Sequence, residues 1–396
     1  MWFLYLRMHT EKGSLYTTQF WLLCLSHALF AGSFNMIIPE LPAYLESMGG
    51  EDYKGLIIAL FTLMAGLSRP FSGRLTDTVG RVPVMIFGSL VCVVCSLLYP
   101  LVTGVAGFLW LRFFHGFSTG FKPTASSAFV ADIAPVYRRG EAMGILGVSM
   151  NLGSSIFPPV GSWLVLAYSI DVMFYVSSGL ALFSIVILLG MKETLPDRQA
   201  FRPGLLRVGW KDFAEPTAVP PAIIIGLSYA CFGVLLTVVP DQADYLGMAN
   251  KGLFFTSFTA MGLLSRLIAG RSSDRFGREP VLQVSLLLTT GALVLLGYAA
   301  SPLMLMVGAG ALGFCTGVLG PTAFAWVVDR SDSQYRGRAM ATAYIALEIG
   351  IGLGALYSAW VYDNTPANFP KVFLAAALLC LLALAYLEWR KRTNAR

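Results

Sequence analysis

From residue 18 onward, long apolar runs alternate with short polar stretches along this chain. A helix of about 20 residues reaches about 30 Å, the thickness of a hydrocarbon core. Six such runs fall near 18–41, 56–73, 83–101, 106–130, 142–167 and 172–191, and six more near 220–242, 253–270, 280–299, 302–327, 339–362 and 371–389. A barrel strand needs only about 10 residues and alternates apolar with polar positions. The pattern therefore predicts an all-α integral membrane protein with twelve transmembrane helices.

Between the sixth and seventh runs the chain turns polar and proline-rich, with Lys192, Glu193, Asp197, Arg198, Arg202, Arg207, Lys211, Asp212 and Glu215 in close succession. This predicts an N-terminal six-helix bundle over 1–191, a cytoplasmic linker over 192–219 and a C-terminal six-helix bundle over 220–396. Within the linker, Leu206 and Trp210 share one face of a short surface helix expected over 205–213.

The two halves repeat each other at an offset of 197 residues. Lys54-Gly55-Leu56 returns as Lys251-Gly252-Leu253, Leu67-Ser68-Arg69 as Leu264-Ser265-Arg266, and Arg139-Gly140 as Arg336-Gly337. So does the set Gly73, Arg74, Asp77, Gly80 and Arg81, as Gly270, Arg271, Asp274, Gly277 and Arg278. A period this long marks a duplicated multi-helix unit and not a solenoid.

Composition agrees with lipid as the solvent: 56% of residues are hydrophobic and 13% charged, about half the charged share of a soluble domain. Of the 28 Lys and Arg, only Lys54, Lys251 and Lys371 fall in the loops of one side, which places both termini in the cytoplasm by the positive-inside rule. The net charge of +6 then belongs to helix ends facing anionic headgroups, and no nucleic-acid partner is expected. The first run is too long for a cleavable signal and is expected to stay as a span. All six cysteines lie inside apolar runs, where a thiol behaves as a small hydrophobe. Cys92 and Cys95 have no His or acid nearby in the sequence, so neither a metal nor a cofactor is expected. Short outer loops and the absence of an N-x-[ST] sequon suit a bacterial inner membrane.

Gly73 to Arg81 lies where the second span exits and the third begins. Its first glycine allows close helix approach, its second the positive φ of a tight reversal, and Asp77 is placed to accept from the next helix's amides and to pair with arginines. Gly270-Arg271-Ser272-Ser273-Asp274-Arg275-Phe276-Gly277-Arg278 resembles the loop signature of the major facilitator superfamily. The first copy departs from it at Thr78 and Val79. Lys192-Glu193-Thr194-Leu195-Pro196 after span six and Arg112-x-x-x-Gly116-x-x-x-Gly120 in span four extend the resemblance over nearly the whole chain. It implies two bundles rocking about a central cavity, with spans four and five facing ten and eleven, and a cytoplasmic gate of Gly73, Asp77, Arg81, Arg139, Gly270, Asp274, Arg278 and Arg336. The alternative for the signature residues is that they only shape turns.

Ionisable groups at membrane depth are costly, so each is a functional candidate. Arg112, His115, Thr119, Lys122 and Ser126 fall within an arc of about 80° on one helix face, a stripe expected to line the cavity. Glu348 in span eleven stands where the repeat has Asn151, and both Glu348 and Lys122 lie about 15 Å from their cytoplasmic helix ends. Glu348 is the candidate proton carrier, competing with or statically paired to Lys122. His27 is either a relay for the proton or a packing histidine. Asn35, Asn151, Tyr229, Thr256, Thr316 and Trp326 complete the candidate cavity wall. At the outer rim, Glu40 and Asp241 occupy matching positions, and Glu40 is either solvated or a partner for Arg112.

Span five contains Gly153-Ser154-Ser155-Ile156-Phe157-Pro158-Pro159-Val160-Gly161, which resembles the G-x-x-x-G-P-x-x-G signature of the drug:proton antiporters with Phe157 at its central glycine. The resemblance implies proton-driven efflux of a small organic solute by a monomer in the bilayer. The basic stripe favours an anionic solute and leaves proton-coupled uptake as the second reading. A non-transporting receptor is a third. No Ser-His-Asp set, H-E-x-x-H or nucleotide loop supports an enzyme.

Overall fold

The computed structural model describes residues 16–135, 138–206, 209, 215–331 and 336–394, and the side chains of 140, 267–271, 336, 337 and 394 lie outside that description. Twelve long helices organise it: α1 (Thr18–Met36), α2 (Lys54–Thr78), α3 (Arg81–Leu98), α4 (Val105–Ile133), α5 (Arg139–Ala167), α6 (Ile170–Leu189), α7 (Val219–Tyr245), α8 (Gly252–Phe276), α9 (Arg278–Gly297), α10 (Pro302–Arg330), α11 (Arg336–Tyr362) and α12 (Phe369–Asn394). Among the described residues, nine are long and apolar enough to cross a membrane by themselves; α4, α5 and α8 are the other three. α4 and α5 rely on helix neighbours to cover their polar positions, and the side chains of 267–271 in α8 lie outside the described residues. Of the surface helix expected over 205–213, Leu205 and Leu206 fall in a single 3-10 turn, Pro203–Leu206, and the remainder apart from Gly209 lies outside the described residues.

Each half packs in the same way. In the first, α1 lies on α5 and α6, α2 on α4, and α3 on α4 and α6; in the second, α7 lies on α11 and α12, α8 on α10, and α9 on α10 and α12. Small residues make these seams close. Gly116 and Gly120 of α4 meet Phe61, Ala65 and Ser68 of α2, and Gly313 and Gly317 of α10 meet Phe258, Gly262 and Ser265 of α8. In α5, Gly153 and Gly161 seat the backbone of α1, while the ring of Phe157 covers Gly32. The phenylalanine thus fills space that a second glycine leaves open.

The halves meet along α2–α11 and α5–α8, two contacts exchanged by the repeat. This corrects the expectation that spans four and five face ten and eleven: α4 and α10 are buried within their own bundles by the glycine seams. We call the end of the molecule carrying the start of α1 and the end of α12 the terminal end, and the opposite end the distal end. At the terminal end, Tyr16, Arg138 and Glu141 tie the start of α1 to the start of α5: Tyr16 donates to Glu141 at 2.5 Å, and Arg138 bonds the same carboxylate at 2.7 Å. The Glu141 carboxylate holds the Tyr16 hydroxyl above its usual pKa.

Candidate functional site

The polar residues of this molecule form three groups at different depths. The first is the pair of signature loops. Gly80 and Gly277 adopt φ of 131° and 87°, the positive values anticipated for a tight reversal. Arg81 then pairs with Asp77 at 3.2 Å and Asp132 at 3.0 Å, and Arg278 with Asp274 at 2.6 Å and Asp329 at 2.8 Å. Each arginine clamps α2 to α4 or α8 to α10, so these pairs are internal to a bundle. The departures at Thr78 and Val79 leave this geometry intact. Contrary to the expectation from the sequence, Asp77 does not cap the next helix; Glu193 accepts from the amides of Arg81 and Val82 at 3.0 and 2.9 Å. A Cβ on Gly73 would meet nothing within 4 Å, so that glycine makes no close helix contact in this state. Arg139 is exposed at the start of α5. The side chain of Arg336 and the surroundings of Gly270 lie outside the described residues.

The second group is the stripe of α4, which turns into the core of the first bundle instead of the space between bundles. Arg112 is 1% exposed, His115 and Lys122 0%, Ser126 0% and Thr119 8%. Arg112 donates to the Ile57 carbonyl at 3.1 Å and to the Tyr99 hydroxyl at 3.3 Å, and its guanidinium lies 4.5 Å from the ring of Phe61. His115 bridges the Tyr99 hydroxyl and the Cys92 thiol, each at 3.2 Å. Lys122 donates to the carbonyl and hydroxyl of Ser26, both at 3.0 Å, and to the hydroxyl of Ser184. His27 sits in the same core, 3% exposed, within electrostatic reach of Lys122. The expected meeting of Lys122 with Glu348 is therefore not made, and neither is that of Arg112 with Glu40. The glycines that bring α4 against α2 turn the cations inward, where serine oxygens of α1 and α6 satisfy Lys122 and the Ile57 carbonyl and Tyr99 hydroxyl satisfy Arg112. Trp326 belongs to the core of the second bundle, beneath the guanidinium of Arg390 at 5.5 Å.

The third group lies between the bundles. Near mid-depth, Arg69 of α2 bonds Glu348 of α11 at 2.7 Å, and its guanidinium lies 4.5 Å from the ring of Tyr344. Glu348 is 8% exposed. On the symmetric contact, Arg266 of α8 approaches Gly147 of α5, with Asn151 one turn further along and Tyr229 of α7 within electrostatic reach. Asn35 donates to Ser154 of α5 at 3.0 Å, Thr256 to the Ser155 carbonyl at 2.6 Å, and Thr316 only to its own helix.

At the distal end two lysines clasp the halves together. Lys54 bonds Asp241 of the other bundle at 2.6 Å and Glu46 of its own at 3.0 Å. Lys251, its repeat partner, bonds Asp244 of its own bundle at 2.6 Å and stands 3.8 Å from Glu40 across the interface. Ser162 donates to Glu40 at 2.5 Å and accepts from the amide of Gly252 at 3.2 Å. Glu40 is thus buried in a clasp, not solvated. These lysines and the two arginines were missed as site residues, although the repeat had already aligned Lys54 with Lys251 and Arg69 with Arg266. A cation retained at the same depth in both halves was the available signal.

Comparisons with known proteins agree with this architecture. The family model described as Major Facilitator Superfamily matches residues 23–249 and 221–396. "Multidrug resistance protein MdtG" of Serratia proteamaculans (strain 568) is 28% identical over 383 residues, covering 93% of this chain and 92% of its own. "Multi-drug resistance efflux pump PmrA homolog" of Lactococcus lactis subsp. lactis (strain IL1403) is 28% identical over 404 residues, 97% of each chain. Among solved structures, the human organic anion transporter MFSD10 (TETRAN) superposes with a TM-score of 0.72 at 21% identity, over 94% of this chain and 100% of that one. The peptide transporter POT in complex with sulfate gives a TM-score of 0.74 at 14% identity, over 92% and 93%. At these identities the structures show the fold alone.

Proposed function

This chain belongs to the major facilitator superfamily, and we propose that it is a monomeric, proton-coupled exporter of small organic solutes in a bacterial inner membrane, with both termini in the cytoplasm. The multidrug resistance and efflux relatives support the direction, and the distribution of Lys and Arg supports the orientation. The observation that carries the reading is the Arg69–Glu348 pair, a carboxylate held by a cation across the moving interface at membrane depth.

With the distal clasps closed, solute enters from the cytoplasmic side while Glu348 is held ionised by Arg69. The rocking of the bundles opens the distal end, exposes Glu348 to the external proton supply and lets the solute leave. A proton on Glu348 removes the charge that Arg69 binds, and the return stroke carries that proton inward. Coupling requires one carboxylate with two partners, a cation and a proton, whose exchange is tied to the conformation. The signature loops hold each bundle rigid through this motion.

In proteoliposomes with an acidic lumen, the wild type should accumulate a transported solute, chosen from ethidium and naphthalenesulfonate, against its gradient. Glu348→Gln should abolish accumulation while leaving downhill exchange. Accumulation driven by an acidic exterior would overturn export in favour of symport, and full coupling in Glu348→Gln would remove Glu348 from the mechanism.

A further inference from the structure

Arg69 and Arg266 are the same residue in the two halves, but their surroundings differ. Arg69 is enclosed by chemistry of its own chain: the Glu348 carboxylate at 2.7 Å, the Tyr344 ring at 4.5 Å, and the Phe324 ring 4.9 Å from that of Tyr344. At the 197-residue offset these three become Asn151, Gly147 and Ser127. The arginine survives the duplication, while its acid and both of its rings do not.

Arg266 sits about 15 Å from the terminal end of α8. Leu67 and Leu264, two residues before the arginines, are exposed on the outside of their helices. Two residues along a helix turn a side chain by about 200°, so Arg266 points from the lipid side into the inter-bundle space. There it remains exposed, with an Nη1 atom 3.6 Å from where a Cβ of Gly147 would stand. No carboxylate pairs with it among the described residues. Beside it, the Nδ2 of Asn151 is buried with no hydrogen-bond partner, and the Tyr229 hydroxyl stands near the same charge. Among the described residues, a guanidinium, an unpartnered amide N–H one turn along α5 from its contact at Gly147, and a phenol within its electrostatic reach thus stand at membrane depth without an anionic acceptor. The sister contact shows what such a guanidinium takes up: a carboxylate oxygen on its Nη2 and an aromatic ring on its face.

We propose that Arg266, Asn151 and Tyr229 form the recognition site for an amphipathic organic anion. The solute's carboxylate or sulfonate occupies the position that Glu348 takes on Arg69, and its flat apolar body occupies the position of the Tyr344 and Phe324 rings. This rests on the transport reading and names its substrate class. A lipophilic cation meets like charge at Arg266 and is disfavoured. The two symmetric contacts then divide the work: α2–α11 holds the proton and α5–α8 the solute.

The test is titration calorimetry on the protein in lipid nanodiscs, with naphthoate, phenylbutyrate and naphthalenesulfonate set against neutral naphthamide. The wild type should bind at least one of the anions at least about tenfold more tightly than naphthamide. Arg266→Gln should remove that preference. Asn151→Glu restores the missing carboxylate, which should occupy Arg266 and weaken anion binding about tenfold or more, whereas Asn151→Gln should stay within about threefold of wild type. Because Asn151→Glu forms a new ion pair, its thermal unfolding should be no lower than that of wild type, which separates site loss from misfolding. Failure of all three anions to bind, equal affinity for naphthamide, or unaltered anion binding in Asn151→Glu would overturn the site. Anion binding with this mutational pattern but without pH-driven transport would overturn the transport reading and leave the site standing.

Discussion

The distal clasps and the mid-depth arginines are both products of one duplication, and only the clasps kept their chemistry on both sides. Lys54 and Lys251 each hold an acid of their own bundle and face an acid of the other. Arg69 and Arg266 share a depth and face repeat-equivalent helices, α11 and α5, yet one has a carboxylate and a ring and the other an amide and a glycine. A rocking machine needs matched contacts where its halves close. It needs unmatched ones where solute and proton must be told apart.

That contrast can be broken most severely by erasing it. Copying the α2–α11 chemistry into α5–α8, with Gly147→Tyr and Asn151→Glu together, should add a second internal latch of about 2 kcal/mol from the ion pair and the ring on the exposed Arg266. That shifts the conformational balance by about 30-fold, so solute flux should fall by that order while thermal stability rises. Unchanged flux would show that the two contacts are not equivalent latches.

Removing the symmetric part comes next. Lys54→Met with Lys251→Met leaves Asp241 and Glu40 enclosed without a cation, at about 3 kcal/mol for the tighter Lys54 clasp and less for the longer Lys251 one. Spin labels on Glu51→Cys and Asp363→Cys, which flank the distal seam, should move apart. A distance distribution like that of the wild type would mean the clasps do not set the distal closure.

The smallest effect should come from Lys122→Met, because that cation faces serine oxygens inside one bundle and neither symmetric contact. Replacing a buried charge by an apolar side chain of similar size should leave stability unchanged or raise it by up to about 2 kcal/mol. Transport rates should stay within about threefold. A loss of anion transport equal to that of Arg266→Gln would return the α4 stripe to the cavity.

The twelve helices, the break after α6 and the turns at Gly80 and Gly277 were legible in the sequence, because hydrophobic run length and glycine placement are local signals. The facing of α4 was not. A polar stripe defines one face of a helix, but whether that face meets a cavity or a bundle core depends on what its neighbours offer. Here Ser26, Ser184, Cys92 and Tyr99 supply partners that no spacing rule ties to Arg112, His115 or Lys122. Glu348 was legible as a lone acid, but its partner was not, since Arg69 is 279 residues away. Lys54 is likewise 187 residues from Asp241. Pairings across the bundle interface follow from which helices touch, and the sequence leaves that open.

The central claim, that a proton on Glu348 in the α2–α11 contact and solute on the α5–α8 contact exclude each other, is tested most directly by counting protons when solute binds to protein brought to a pH at which Glu348 is protonated. Naphthalenesulfonate added to lightly buffered nanodiscs, followed with a pH indicator, should release up to about one proton per bound solute from wild type and none from Glu348→Gln. Equal release from both proteins, or none from wild type at saturation, would contradict it.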